Sequence, residues 1–316
     1  MTDIREKSSK EKRMFVSGEL FGALAMLLAA CTWGAIGPAM REALALGVTP
    51  VEVTFIRAAG SALVVGLWLL FKSPTKILCP LREVPFRMLN GLFGVVGIFL
   101  LTNIGLVRIP VGFATVLFYT APFWVLLLEF FFFHQSLSRS RILALGLAFG
   151  GVWVALGRNW GGSGDLLGVG VMLLSGFSYA GYLLIGRYGP GGRDPLGTYF
   201  HTYLWGALFV WIISGFIGSL GPFPPFSWRL LGVLSYLVLV NTVLAYALVQ
   251  FSLGYLTGGV ASILSMSEIA FAIFWGMILL DQVPSLATVG GGVMIVGGIL
   301  IILLEQSRRK KGCVPS

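Results

Sequence analysis

The chain has 316 residues, of which 57% are hydrophobic and 11% charged, with 43 glycines and a mean hydropathy of +0.90. Ordinary soluble domains carry roughly 25% charged residues, so this composition excludes a soluble globular protein and turns length into a count of membrane spans at ~20 apolar residues each. The net charge of +9 does not point to nucleic acid, because the basic residues sit at span ends and in the tails, where membrane topology places them.

Residues 1–17, MTDIREKSSKEKRMFVS, are polar and mixed in charge and are expected to form a disordered cytoplasmic tail. Ten apolar spans follow, at about 18–38, 51–71, 88–107, 112–133, 141–157, 166–186, 196–218, 230–250, 258–280 and 285–304. Their apolar runs are continuous, which favours helices, since barrel strands alternate over about ten residues. Residues 305–316 form a basic tail containing Arg308-Arg309-Lys310-Lys311. Leu28-Ala29-Ala30-Cys31 looks like a lipoprotein signal, but the apolar run continues through Trp33-Gly34-Ala35-Ile36, so it reads as the first span. Cys31, Cys79 and Cys313 are odd in number and lack metal spacing.

Of the 22 Lys and Arg, only Arg41, Arg108, Arg158 and Arg229 fall outside when the N-terminus is placed in the cytoplasm, and Arg57 falls within a span. That bias predicts both termini in the cytoplasm, in agreement with an even number of spans.

Gly258–Gln282, GGVASILSMSEIAFAIFWGMILLDQ, carries one acid, Glu268, near its middle, and it has an earlier copy in Gly112–Gln135, GFATVLFYTAPFWVLLLEFFFFHQ. The two align without a gap at an offset of 147, pairing Gly112 with Gly259, Pro122 with Ile269 and His134 with Asp281. Gly168–Tyr179 matches Gly22–Trp33 at an offset of 146, Arg41 falls on Arg187, and Asn103 falls on Gln250. The nearly constant offset divides the chain into two five-helix repeats, 18–157 and 166–304. Because five is odd, the second repeat is expected upside down relative to the first. The predicted fold is an all-α integral membrane protein of ten transmembrane helices in two inverted repeats. Secondary transporters commonly have this plan, with the site at the midplane between repeats and alternating access as one half rocks on the other.

The twin stretches Gly112-Phe-Ala-Thr to Pro122 and Gly259-Val-Ala-Ser to Glu268-Ile269 resemble the EamA-like family of the drug/metabolite transporter superfamily. So do the glycine-rich Leu145–Gly151 and Gly290–Gly298, and Pro50 with Arg57. The resemblance covers nearly the whole chain and implies ten helices, inverted repeats and transport of small organic solutes, often by export. The second half departs from the family pattern at Ile269, where a proline often follows the acid, and at Thr202, which stands opposite Arg57.

An intramembrane carboxylate costs roughly 2.5–3.5 kcal/mol on insertion scales, so Glu268 is the first candidate, as a proton or substrate-amine site. On a helix it shares a face with Ala261, Leu264, Ser265 and Ala272, which are mostly small. The plainer alternative is a buried acid paired with Arg57 or with a neighbouring helix. Arg57 could hold a substrate carboxylate bidentately, neutralise Glu268 or Glu129, or snorkel outward. Glu129 lies near the cytoplasmic end of its span, where an ion pair with Arg139 or Arg141 is expected. Pro122 removes a backbone donor in mid-span and predicts a kink. Trp33, Tyr119, Tyr179, Tyr182 and Tyr246 have polar tips that need partners or water, and Trp33 and Tyr179, as repeat mates, are expected at related places on a cavity. Asn103, Asn241, Gln250 and His201 fit interhelical hydrogen bonds, with proton transfer a second role for His201. The glycines of spans five and ten read as close packing or dimerisation faces; no strand precedes them, so a nucleotide loop fails its context test.

The expected activity is secondary transport of a small organic metabolite, such as an amino acid or drug-like compound, across the cell membrane. The alternative is a membrane-embedded transferase acting on a lipid-like substrate, which needs clustered acids with a metal, or a nucleophile with its base. A passive channel needs a filter loop or charged ring. The expected partners are a small-molecule substrate and membrane lipid, with a homodimer left open; no nucleic acid, metal or cofactor is expected.

Overall fold

Thr49, Pro50 and Glu52 start a helix by reciprocal hydrogen bonds. In the computed structural model the Thr49 hydroxyl accepts from the Glu52 N–H (3.3 Å), and the Glu52 carboxylate accepts from the Thr49 N–H (2.7 Å). Pro50 occupies the first position, where no donor is needed. Asp165, Ser227 and Thr257 start three further helices by accepting from the N–H three residues on. Asp165 also accepts from Arg108 Nη1 at 3.0 Å; the Gly168 N–H, followed by the Arg108 guanidinium, holds its carboxyl below the usual carboxylate range.

The structure describes residues 2–156, 165–190, 194–217, 221, 223–281 and 283–311, with backbone alone for 2–17, 217, 280 and 306–311. Arg158, Gln282 and Cys313 of the sequence argument lie outside the described residues. Among the described residues, ten helices are long and apolar enough to cross a membrane: α1 (Gly18–Ala45), α2 (Pro50–Lys72), α3 (Leu81–Leu106), α4 (Val111–Phe133), α5 (Arg139–Leu156), α6 (Leu166–Tyr188), α7 (Pro195–Phe216), α8 (Trp228–Leu253), α9 (Gly258–Leu279) and α10 (Leu286–Glu305). No strand occurs among the described residues. The membrane-spanning class follows from these helices and from the large apolar side chains on the outside, such as Trp68, Phe131 and Leu300, the inverse of a soluble protein.

Three boundaries differ from expectation, one of them the start of α3, which lies at Leu81 and not near residue 88. Helical backbone begins at Thr2, so residues 2–17 continue α1 in place of the expected disordered tail. α1 also runs on past 38, through a second piece, Ile36–Ala45, set off by a break at Ala35.

Repeat-related helices pack on each other: α2 runs along α7, and α5 along α10. The α5–α10 contact needs glycine. A Cβ at Gly151 would lie 2.5 Å from the Gly291 carbonyl oxygen, and one at Gly298 would lie 2.6 Å from that of Ala144. These glycines therefore serve close packing within the chain. The backbone echoes itself at the offset of 147. Both α3 and α8 carry a π-helical segment, Leu92–Leu100 and Leu239–Leu244, and the repeat mates His134 and Asp281 are both left-handed, at φ 51° and 49°.

Candidate functional site

Two helix breaks build the site. α4 stops at Phe118 and restarts at Ala121; α9 stops at Ser265 and restarts at Ser267. Pro122 stands in the first turn of the new α4 segment, where its missing N–H costs nothing, so the expected kink is a full interruption. The Thr120 hydroxyl donates to the nearby Leu117 carbonyl at 2.7 Å. α9 breaks at the matching place without a proline. There the hydroxyls of Ser262, Ser265 and Ser267 donate to carbonyls three residues back, at 2.9, 2.7 and 2.7 Å, in competition with the helical backbone. This interruption sets Glu268 in the first turn of Ser267–Leu280, where free N–H groups and the helix dipole favour a carboxylate.

A cavity of ≈ 1020 Å³ lies over the breaks. Its mouth is formed by Leu44, Val107, Val111, Leu156 and Pro284, beside the connections that follow α1, α3, α5 and α9. Its floor and walls include Glu268, Arg57, Tyr119, Trp33, Tyr179 and Ser265, so these six expected residues are brought together. Tyr119 donates to Glu268 Oε2 at 2.7 Å and joins the two breaks across the repeats. Arg57 Nε donates to Thr242 Oγ1 at 2.9 Å, and its guanidinium lies 4.2 Å from the centroid of the Phe99 ring, a cation–π contact. Nη1 and Nη2 have no hydrogen-bond partner among the described residues, and no ion pair joins Arg57 to Glu268. The pairing considered from sequence is therefore not made. Both groups face the same cavity, each held by a neutral partner.

Trp33 touches Tyr179 edge-on at 6.4 Å and Tyr246 at 4.8 Å. The repeat mates thus meet on one wall. Asn103 also lines the cavity, while its Nδ2 donates to the Pro50 carbonyl (3.1 Å) and to Thr54 Oγ1 (3.0 Å), which ties α3 to the start of α2.

Tyr182 and His201 are not part of this lining. Tyr182 is fully buried, with its hydroxyl accepting from Gln250 Nε2 at 2.9 Å, and His201 is buried beside Phe200 in the first turns of α7. Sequence reasoning missed Phe99 and Thr242 as the groups that position Arg57. Thr242 sits in the π segment of α8 and donates to Leu237, five residues back, at 2.7 Å. Widened turns of this kind recur at functional sites, but hydropathy carries no trace of them.

The opposite end is closed. Tyr199 and Tyr203 stack at 4.5 Å with no solvent exposure. Arg187 Nη1 donates to the carbonyls of Leu253 (2.8 Å) and Gly254 (3.0 Å). Glu129 does not pair with Arg139 or Arg141 as expected. Its carboxylate accepts from the Tyr188 hydroxyl (2.9 Å) and the Gly259 N–H (3.0 Å), because the N-terminus of Gly258–Ser265 is presented directly to it. A Cβ at residue 259 would lie 2.5 Å from Leu126 Cδ2 and 2.8 Å from Glu129 Oε2, so a larger residue there would have to displace the ends of both side chains.

The model of the EamA-like transporter family matches the chain twice, over residues 20–157 and 166–304. An uncharacterized transporter, YdfC, of Bacillus subtilis (strain 168) is 27% identical over 294 residues, 88% of this chain and 90% of that protein. An uncharacterized transporter of Archaeoglobus fulgidus is 24% identical over 218 residues, 68% of this chain and 76% of that one. A solved crystal structure covers 91% of this chain and 98% of its own, with a TM-score of 0.77 at 18% identity, a likeness of fold. With the family model covering both halves of a ten-helix membrane fold, the chain belongs to the EamA-like transporter family.

Proposed function

We infer that the protein is a secondary transporter of the cell membrane. It moves a small amphipathic metabolite bearing an amine and a carboxylate, such as an amino acid, by alternating access. The carrying observation is the cavity, open at one face and sealed at the other, whose wall holds one carboxylate, Glu268, and one guanidinium, Arg57, not paired with each other. A solute with both charges satisfies both groups at once, and the aromatic wall of Trp33, Tyr179 and Tyr246 takes its apolar part. With the termini in the cytoplasm, as the Lys/Arg bias favours, the open mouth faces outward. The two repeats of five spans then run in opposite directions, and rocking of one against the other opens the sealed end.

A thermal-shift screen of the purified protein against amino acids, polyamines and cationic drugs tests this reading. Zwitterions should stabilise it, and Arg57→Lys, which loses the planar fork and the contact with Phe99, should weaken binding of carboxylate solutes about tenfold while sparing plain cations. Equal weakening of both classes counts against the carboxylate role of Arg57.

A further inference from the structure

The sealed face is held by an arginine on the end of a helix. Arg187 Nη1 bridges the carbonyls of Leu253 and Gly254, at the C-terminus of α8, where carbonyls lack intrahelical partners and carry the negative end of the helix dipole. Every part of this arrangement has a counterpart 146 or 147 residues earlier: Arg187 answers to Arg41, Leu253 to Leu106, and Gly254 to Val107.

The two turns also match in their backbone. The Ser252 carbonyl accepts from the N–H groups of Tyr255 (2.9 Å) and Leu256 (2.9 Å), and the Gly105 carbonyl accepts from those of Arg108 (3.0 Å) and Ile109 (3.1 Å). At the open face the Leu106 and Val107 carbonyls accept no hydrogen bond from another element among the described residues, and Pro110, four residues after Leu106, has no N–H to offer. Arg41 is exposed and makes no hydrogen bond or ion pair with a described residue, whereas Arg108 and Arg229 are paired with Asp165 and Glu42. It lies on Ile36–Ala45, beyond the break at Ala35, and its neighbours Met40 and Leu44 line the cavity mouth with Leu106 and Val107.

We propose that Arg41 is the latch of the other state: when the outer mouth closes, Ile36–Ala45 swings about Ala35 and the Arg41 guanidinium takes the carbonyls of Leu106 and Val107, as Arg187 takes those of Leu253 and Gly254 in this state. The two arginines then hold opposite faces in turn. This inference rests on the alternating-access reading above.

The test uses the full-length protein with its native cysteines replaced, carrying one reporter at a time: Thr102→Cys on the cavity wall, or its repeat mate Val249→Cys, which is fully buried. Labelling by a maleimide reads which face is open. Arg41→Gln should raise the ratio of Thr102→Cys to Val249→Cys labelling, Arg187→Gln should lower it, each by about tenfold for a lost charge-assisted bond, and Arg41→Lys should retain the wild-type ratio. In the Arg187→Gln background, a cysteine pair at 41 and 107 should form a disulfide that blocks Thr102→Cys labelling. A shift with Arg187→Gln but none with Arg41→Gln, or no 41–107 disulfide, overturns the outer latch and leaves alternating access standing; no shift with either arginine variant overturns both.

Discussion

Glu268 is a side chain that the membrane penalises, by roughly 2.5–3.5 kcal/mol at a helix centre. Three features offset that cost: the hydroxyl of Tyr119 at 2.7 Å, the N-terminus of Ser267–Leu280, and its place on an open cavity. On the proposed alternating-access reading, an acid so placed exchanges protons with one face and then the other. Transport by Glu268→Gln in proteoliposomes should therefore lose its response to an imposed pH gradient; a wild-type response would remove Glu268 from coupling. At this scale the sequence was informative where chemistry was out of place, as with an acid and an arginine inside apolar runs. Thr242, which holds Arg57 from 185 positions away, gave no signal, because a threonine in a span is unremarkable until its partner is known. Tyr182 and His201 misled for the opposite reason: both are polar within spans, but they face Gln250 and Phe200 and not the cavity.

At the scale of elements, the spans were legible to within a few residues because continuous apolar runs bounded by caps leave little freedom. The exceptions carry charge: Arg41 and Glu42 hid the second piece of α1, and Arg82, Glu83 and Arg87 hid the start of α3. The break in α4 was legible through Pro122. Its twin in α9 was not, since serine hydroxyls interrupt that helix without any forbidden donor. Glycine content predicted tight packing but not which glycines make it. Gly151 meets the Gly291 carbonyl, whereas Gly146 has open space on its side. Gly151→Ala should therefore lower stability by about 1–3 kcal/mol through overpacking of α5 on α10, and Gly146→Ala should leave the thermal midpoint unchanged or slightly raised. Equal effects of the two substitutions would place the contact elsewhere.

For the whole molecule, one offset recurs in the sequence and in the local backbone. The offset that pairs Gly112 with Gly259 also relates the two helix breaks, the two π segments and the two left-handed residues His134 and Asp281. The conformation itself, with one face open and one sealed, could not be read from the sequence, because the contacts that close the sealed face, such as Arg187 on the carbonyls of Leu253 and Gly254, join positions far apart in the chain. The central claim is that the Glu268–Arg57 cavity carries an amphoteric solute from one face to the other. Solute counterflow tests it directly: proteoliposomes preloaded with unlabelled leucine or phenylalanine and diluted into a trace of the labelled form. The account predicts a transient internal accumulation of label that Arg57→Ala and Glu268→Ala each reduce at least about tenfold. Accumulation unaffected by both substitutions, or no counterflow of any zwitterion that stabilises the protein, would contradict it.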